Sequence, residues 1–132
     1  MEEFLNRMIA KSGINPPDIY KEAVNKSFSG AVNTEWTLNG DIYEVLFQKD
    51  GIEYIADYDL NGNLVKYKVS IGKELLPHLI KSNLEKDWEI MSIVLINELY
   101  QIIYEIVLRS SPTNRHLMII DQWGNLMKEM RL

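Results

Sequence analysis

Asp59-Leu60-Asn61-Gly62-Asn63-Leu64-Val65-Lys66 decides the reading of this chain, because the pattern returns as Asp121-Gln122-Trp123-Gly124-Asn125-Leu126-Met127-Lys128. An Asp followed by Gly-Asn and an apolar residue can reverse a chain and start the next strand, since Gly and Asn tolerate positive φ. Each occurrence reads as the last hairpin of a unit, and the sequence as a tandem duplication.

Working outward, Ile42-Tyr43-Glu44-Val45-Leu46 matches Ile103-Tyr104-Glu105-Ile106-Val107. Pro17-Asp18-Ile19-Tyr20-Lys21 through Val24, Lys26 and Phe28 matches Pro77-His78-Leu79-Ile80-Lys81 through Leu84, Lys86 and Trp88. The offset grows from 60 at the prolines to 61 at the tyrosines and 62 at the aspartates, as single-residue insertions in loops would produce. The repeats run approximately over 14–70 and 73–132 of one domain spanning 1–132.

Residues 2–12, with Phe4, Leu5, Met8 and Ile9 on one helical face and Gly13 as a stop, predict a short docked helix. Asn15-Pro16-Pro17 then leads into a helix to about Phe28, with Tyr20, Val24 and Phe28 at helical spacing. From Ala31 the period moves towards two, and glycines punctuate strands near 31–38, 42–48, 52–59 and 64–70. A second helix is expected over 74–87, with Pro77 in or near its first turn. Strands near 89–96, 100–109, 115–121 and 126–131 follow. The fold class is thus α+β, a tandem duplication of a helix plus four antiparallel strands. Both helices are expected on one face of a joined antiparallel sheet, since one such sheet is too thin to bury its apolar side alone.

The 132 residues can bury roughly two thirds of their unfolded surface, so neither disulfide nor metal is required for stability. No cysteine is present, which removes thiolate metal sites and cysteine nucleophiles. A net charge of −5 without a basic stripe opposes nucleic-acid binding, which needs cations to displace phosphate counterions. No run approaches a membrane span, and Met1 to Asn15 lacks the apolar segment of a signal peptide, so the chain as given is expected to be cytoplasmic.

Trp36, the Tyr43-x-Val45-x-Phe47 strand, Tyr58-Asp59 with Gly62, and Leu76-Pro77 before the next helix resemble the PepSY-like, beta-lactamase-inhibitor-like proteins. The resemblance spans most of the chain and rests on short degenerate motifs. It implies tandem helix-plus-sheet units and no enzymatic role, with binding or inhibition of another protein in some members. Many such relatives are exported.

Chemical motifs are few. Asp57-x-Asp59-x-Asn61-Gly62 opens like an EF-hand loop, but Lys68 stands where the bidentate Glu belongs, so a hairpin turn is the reading and no metal or cofactor is expected. His78 and His116 show no metal-ligand spacing and read as a helix-start surface residue and a strand-edge residue. There is neither a Gly-x-Ser-x-Gly elbow nor a phosphate-binding loop, so no catalysis is expected. Strand alternation points Tyr43, Val45, Phe47, Tyr54, Ala56 and Tyr58 to the helices. It leaves Glu44, Leu46, Glu53, Ile55 and Asp57, with Ile103, Glu105 and Val107 in the second copy, on a helix-free face of mixed polarity. That face is the expected site for an unidentified protein partner, or for self-association into a homodimer. The alternative is a sensor holding a small apolar ligand.

Overall fold

The computed structural model describes residues 11–84 and 87–132. Among these residues lie nine strands and two helices, so the fold is α+β. The first part runs β1 (Lys11–Ile14), α1 (Asp18–Ser27), β2 (Val32–Asn39), β3 (Ile42–Lys49), β4 (Ile52–Tyr58) and β5 (Leu64–Ser70). A 3-10 turn (Lys73–Leu75), α2 (His78–Lys81), β6 (Glu89–Glu98), β7 (Gln101–Ser111), β8 (Asn114–Asp121) and β9 (Leu126–Arg131) follow. Eight of the nine strands were expected, each to within two residues at either end. The chain divides into two compact units, Met1–Tyr67 and Lys68–Leu132, at a boundary within β5. Within each unit, strands neighbour one another in sequence order, and the registered pairs are antiparallel.

In the first unit α1 begins after Pro17, whose carbonyl accepts from the Tyr20 N–H at 3.1 Å. Tyr20, Val24 and Phe28 recur every four residues and form one buried stripe, which packs on Trp36, Val45, Phe47, Ala56 and Tyr58. Aromatic rings fill this core. Phe28 lies 4.9 Å from Phe47 and 5.4 Å from Tyr67, and Tyr20 lies 4.0 Å from Tyr43, all centroid to centroid. The side chains expected to face the helix therefore do, with Tyr43 and Tyr54 half-buried at the margin.

The expected helix over 2–12 needs correction at its end. Residues 1–10 lie outside the described residues, while Lys11 and Ser12 begin a strand that pairs with Leu38 and Thr37 of β2. Gly13, at φ 65, forms a bulge in this strand instead of ending a helix. Pairing along β2 satisfies backbone groups that an edge would otherwise leave open.

In the second unit Ile80 and Leu84 pack with Leu76, Ile93, Tyr104, Ile106, Leu108 and Ile120. The helix expected over 74–87 is here only His78–Lys81. Leu76 precedes a proline, and steric clash with the ring holds it extended at ψ 127, so residues 73–75 form a separate 3-10 turn. Pro77 is the N-cap, directly before the first turn as expected. Beyond Lys81, the Ser82 hydroxyl donates to the Leu79 carbonyl at 3.0 Å, a local bond that competes with helix propagation. Trp88, expected as the counterpart of buried Phe28, lies ahead of β6 and is half-buried, its ring stacked on His116 at 4.6 Å.

Candidate functional site

On the helix-free side of the first unit, register fixes the neighbours. Leu46 of β3 stands opposite Ile55 of β4 and, on its other side, Glu35 of β2. One rung along, Glu44 stands between Thr37 and Asp57, and in the other direction Gln48 faces Glu53. Leu46 and Ile55 are half-buried, as is Asp57, whereas Glu44 and Glu53 are exposed. An apolar pair is thus set among four carboxylates, Glu35, Glu44, Glu53 and Asp57. Glu35, Thr37, Glu44, Leu46 and Ile55 line an open hollow of about 180 Å³. Like-charged residues directly opposite across strands, as Glu44 and Asp57 are, destabilise a sheet.

The second unit's counterpart is more apolar. Ile103 lies between Ile96 and Asp121, Glu105 between Val94 and Ile119, and Val107 between Ser92 and Leu117. Ile103, Glu105 and Val107 are half-buried, and Ile96 is buried. Of the eight residues expected on one helix-free face, Glu44, Leu46, Glu53, Ile55 and Asp57 belong to the first unit and Ile103, Glu105 and Val107 to the second, alternating in each with residues of that unit's core. Glu35 and Thr37 were missed, as were Val94, Ile96, Leu117 and Ile119. Alternation along β2 could have supplied the first two. In β6 and β8 consecutive apolar residues hide the alternation, so the strand pattern alone does not say which side each faces.

The two repeated turns share the same aspartate Oδ1 and glycine N–H bonds. Asp59 Oδ1 accepts from the N–H groups of Asn61 at 2.9 Å and Asn63 at 3.0 Å, and Asp121 Oδ1 accepts from Trp123 at 2.9 Å and Asn125 at 2.8 Å. In each, the glycine N–H donates to the aspartate carbonyl, with Gly62 at φ 80 and Gly124 at φ 86. The Asp59 carboxylate therefore organises a hairpin. Asp121 also accepts from Asn125 Nδ2 at 3.1 Å, and these bonds, led by that from the Asn125 backbone, hold its carboxyl below the usual aspartate value.

Among the described residues no group of three His, Asp or Glu is placed to hold a metal ion. His78 opens α2 and is exposed. His116 departs from the strand-edge reading, since β8 runs between two partners and places His116 opposite Leu108 and Arg131. A second hollow, of about 130 Å³, lies beside Gln101, Ile103, Gln122, Trp123 and Met127. Beside it the Gln122 side chain accepts the Ile102 N–H at 2.8 Å. No described helix is long and apolar enough to cross a membrane.

Several solved structures share this fold. A BLIP-like protein from Bacteroides fragilis aligns over 90% of this chain and 88% of its own, with TM-score 0.72 and 17% identity. A DUF2874 family protein from Bacteroides uniformis aligns over 89% and 90%, with TM-score 0.74 and 12% identity. A Bacteroides eggerthii protein described as "putative periplasmic" aligns over 89% and 90%, with TM-score 0.74 and 13% identity. No protein-family model and no curated protein matches the chain. At these identities the likeness shows a BLIP-like fold alone.

Proposed function

We propose that this chain is a non-catalytic, inhibitor-like protein-binding module whose docking surface is the helix-free face. The observation that carries this reading is the Leu46–Ile55 pair set within Glu35, Glu44, Glu53 and Asp57. A small apolar centre with a charged rim suits a protein interface, where desolvated apolar contacts supply affinity and rim charges supply specificity. The rim selects the partner's chemistry, namely an apolar protrusion flanked by Lys or Arg. The repeated blocks and similarly bonded turns support reading the units as copies of one PepSY-like module. Similarity to a protein described as BLIP-like agrees with a binding role at the level of fold. The hollows of about 180 and 130 Å³ fall below the roughly 300 Å³ from which small-molecule sites usually start, which favours a protein over an apolar ligand.

Affinity capture from lysate of the source organism, read by mass spectrometry, tests the proposal with wild type and Leu46→Ser/Ile55→Ser side by side. The wild type is expected to enrich a basic-surfaced protein that the double variant loses while it still melts cooperatively. Equal capture by both would place binding elsewhere, and loss of capture together with loss of the folded state would make the pair a second core.

A further inference from the structure

β9 is the last strand in the sheet order, so among the described residues none pairs with its outer edge. All six of its residues are exposed. The edge at β1 is poorly suited to further pairing, being four residues long and bulged at Gly13. β9 contains no proline, and its bulge lies near Met127, which leaves 128–131 regular. The Leu132 N–H donates to the Arg115 carbonyl at 2.9 Å. Alternation along an antiparallel ladder then turns the backbone groups of Arg131 and Glu129 away from β8, open to a further strand.

We propose that this edge pairs antiparallel with β9 of a second copy of the chain, Met130 facing Met130 across a two-fold axis and Glu129 facing Arg131 on either side. Charge selects this register. A two-fold axis normal to the sheet preserves its faces, so paired residue numbers differ by zero or an even number. Centring the axis on Lys128 or on Glu129 sets two like charges directly opposite each other, which is unfavourable. Centring it earlier drives the second copy into the bulge and the Asp121–Asn125 turn. Only the centre at Met130 gives two opposite-charge pairs and directs the open N–H and C=O groups of Glu129 and Arg131 at each other. The charges that discourage random edge pairing thereby become complementary in this arrangement. Because the axis is normal to the sheet, the helix-free faces of the two second units would lie on the same side, doubling that surface.

Sedimentation equilibrium of the full chain up to about 1 mM, a range that detects even weak dimers, tests the pairing. A monomer–dimer equilibrium is expected. Arg131→Glu and Glu129→Arg should each weaken it by about tenfold or more, since each turns two attractive pairs into repulsive ones. The double variant Glu129→Arg/Arg131→Glu should restore it, with circular dichroism melts confirming that each variant folds. A monomer throughout, assemblies growing beyond two copies, or a dimer indifferent to the single reversals would overturn the proposal.

Discussion

The Tyr20 hydroxyl donates a 2.9 Å hydrogen bond to the Leu60 carbonyl, tying the first turn of α1 to the β4–β5 hairpin forty residues away. It joins the helix to the turn that identifies the unit. In the second unit Asn83 Nδ2 approaches the Gly124 carbonyl at 3.5 Å, so a different side chain makes the corresponding link.

Tyr20→Phe keeps the ring against Tyr43 and removes only the hydroxyl, so an equilibrium denaturant titration should show a loss of about 1 kcal/mol. Burial raises the Tyr20 pKa, with Tyr43 and Asp59 adding to the effect. A raised folded value means that its contribution is complete below the ordinary tyrosine value of about 10 and fades as pH rises through the folded value. Tyr58 and Tyr104 are shifted the same way by burial. Melting temperature should therefore fall in strong alkali, less steeply in Tyr20→Phe.

Gly62 and Gly124 hold left-handed backbone and leave little room. A β-carbon at 62 would lie 3.3 Å from Ile19 Cγ1, and one at 124 would lie 3.1 Å from Asn83 Nδ2 and 3.4 Å from Leu79 Cγ. Gly62→Val and Gly124→Val should each destabilise by about 1–2 kcal/mol or more. Gly51, at φ 76 with nothing within 4 Å, isolates the backbone part. Gly62→Ala should lower the melting temperature further than Gly51→Ala, and equal losses would mean that the Ile19 contact contributes nothing.

Asp121 gives an acid-side prediction. A carboxyl held below its unfolded value contributes stability that is present above that value, about 3.9, and is lost as pH falls through the folded one. Asp121→Asn keeps an acceptor for the Trp123 and Asn125 N–H groups but cannot titrate. Its melting temperature should change less than wild type's between neutral pH and pH 3.

The β6–β7 turn is the least conventional among the described residues. Leu99 at φ 47 and Tyr100 at φ 71 occupy its centre, 68% and 100% exposed. Bulky residues in this region are strained by about 1–2 kcal/mol each, and exposure means that little packing compensates. The β3–β4 turn uses Asp50-Gly51 in the same backbone region. Replacing Leu99-Tyr100 by Asn-Gly should raise the melting temperature, by roughly 4–8 °C for each kcal/mol gained in a unit of this size. No gain would show that the strained pair is offset elsewhere.

Eight strands, the hairpins and the stripe Tyr20, Val24 and Phe28 were legible in the sequence because periods of two and four, and glycine at a left-handed turn, are local properties of the chain. The sequence by itself therefore determined the α+β class, the repeated Asp59 and Asp121 turns, and the side taken by Val45, Phe47, Ala56 and Tyr58. It did not determine the length of α2, where steric pressure on Leu76 before Pro77 and the Ser82 back-bond outweigh an apolar spacing. Nor did it place Lys11–Ile14, since a strand added at an edge gains its hydrogen bonds from β2 and leaves no period of its own. Only the tertiary structure decided that Leu46 meets Ile55 among four carboxylates, and that Val94, Ile96, Leu117 and Ile119 share a side with Glu105. Register between strands is a relation among distant segments, fixed by which backbone groups pair, and no single stretch of sequence encodes it.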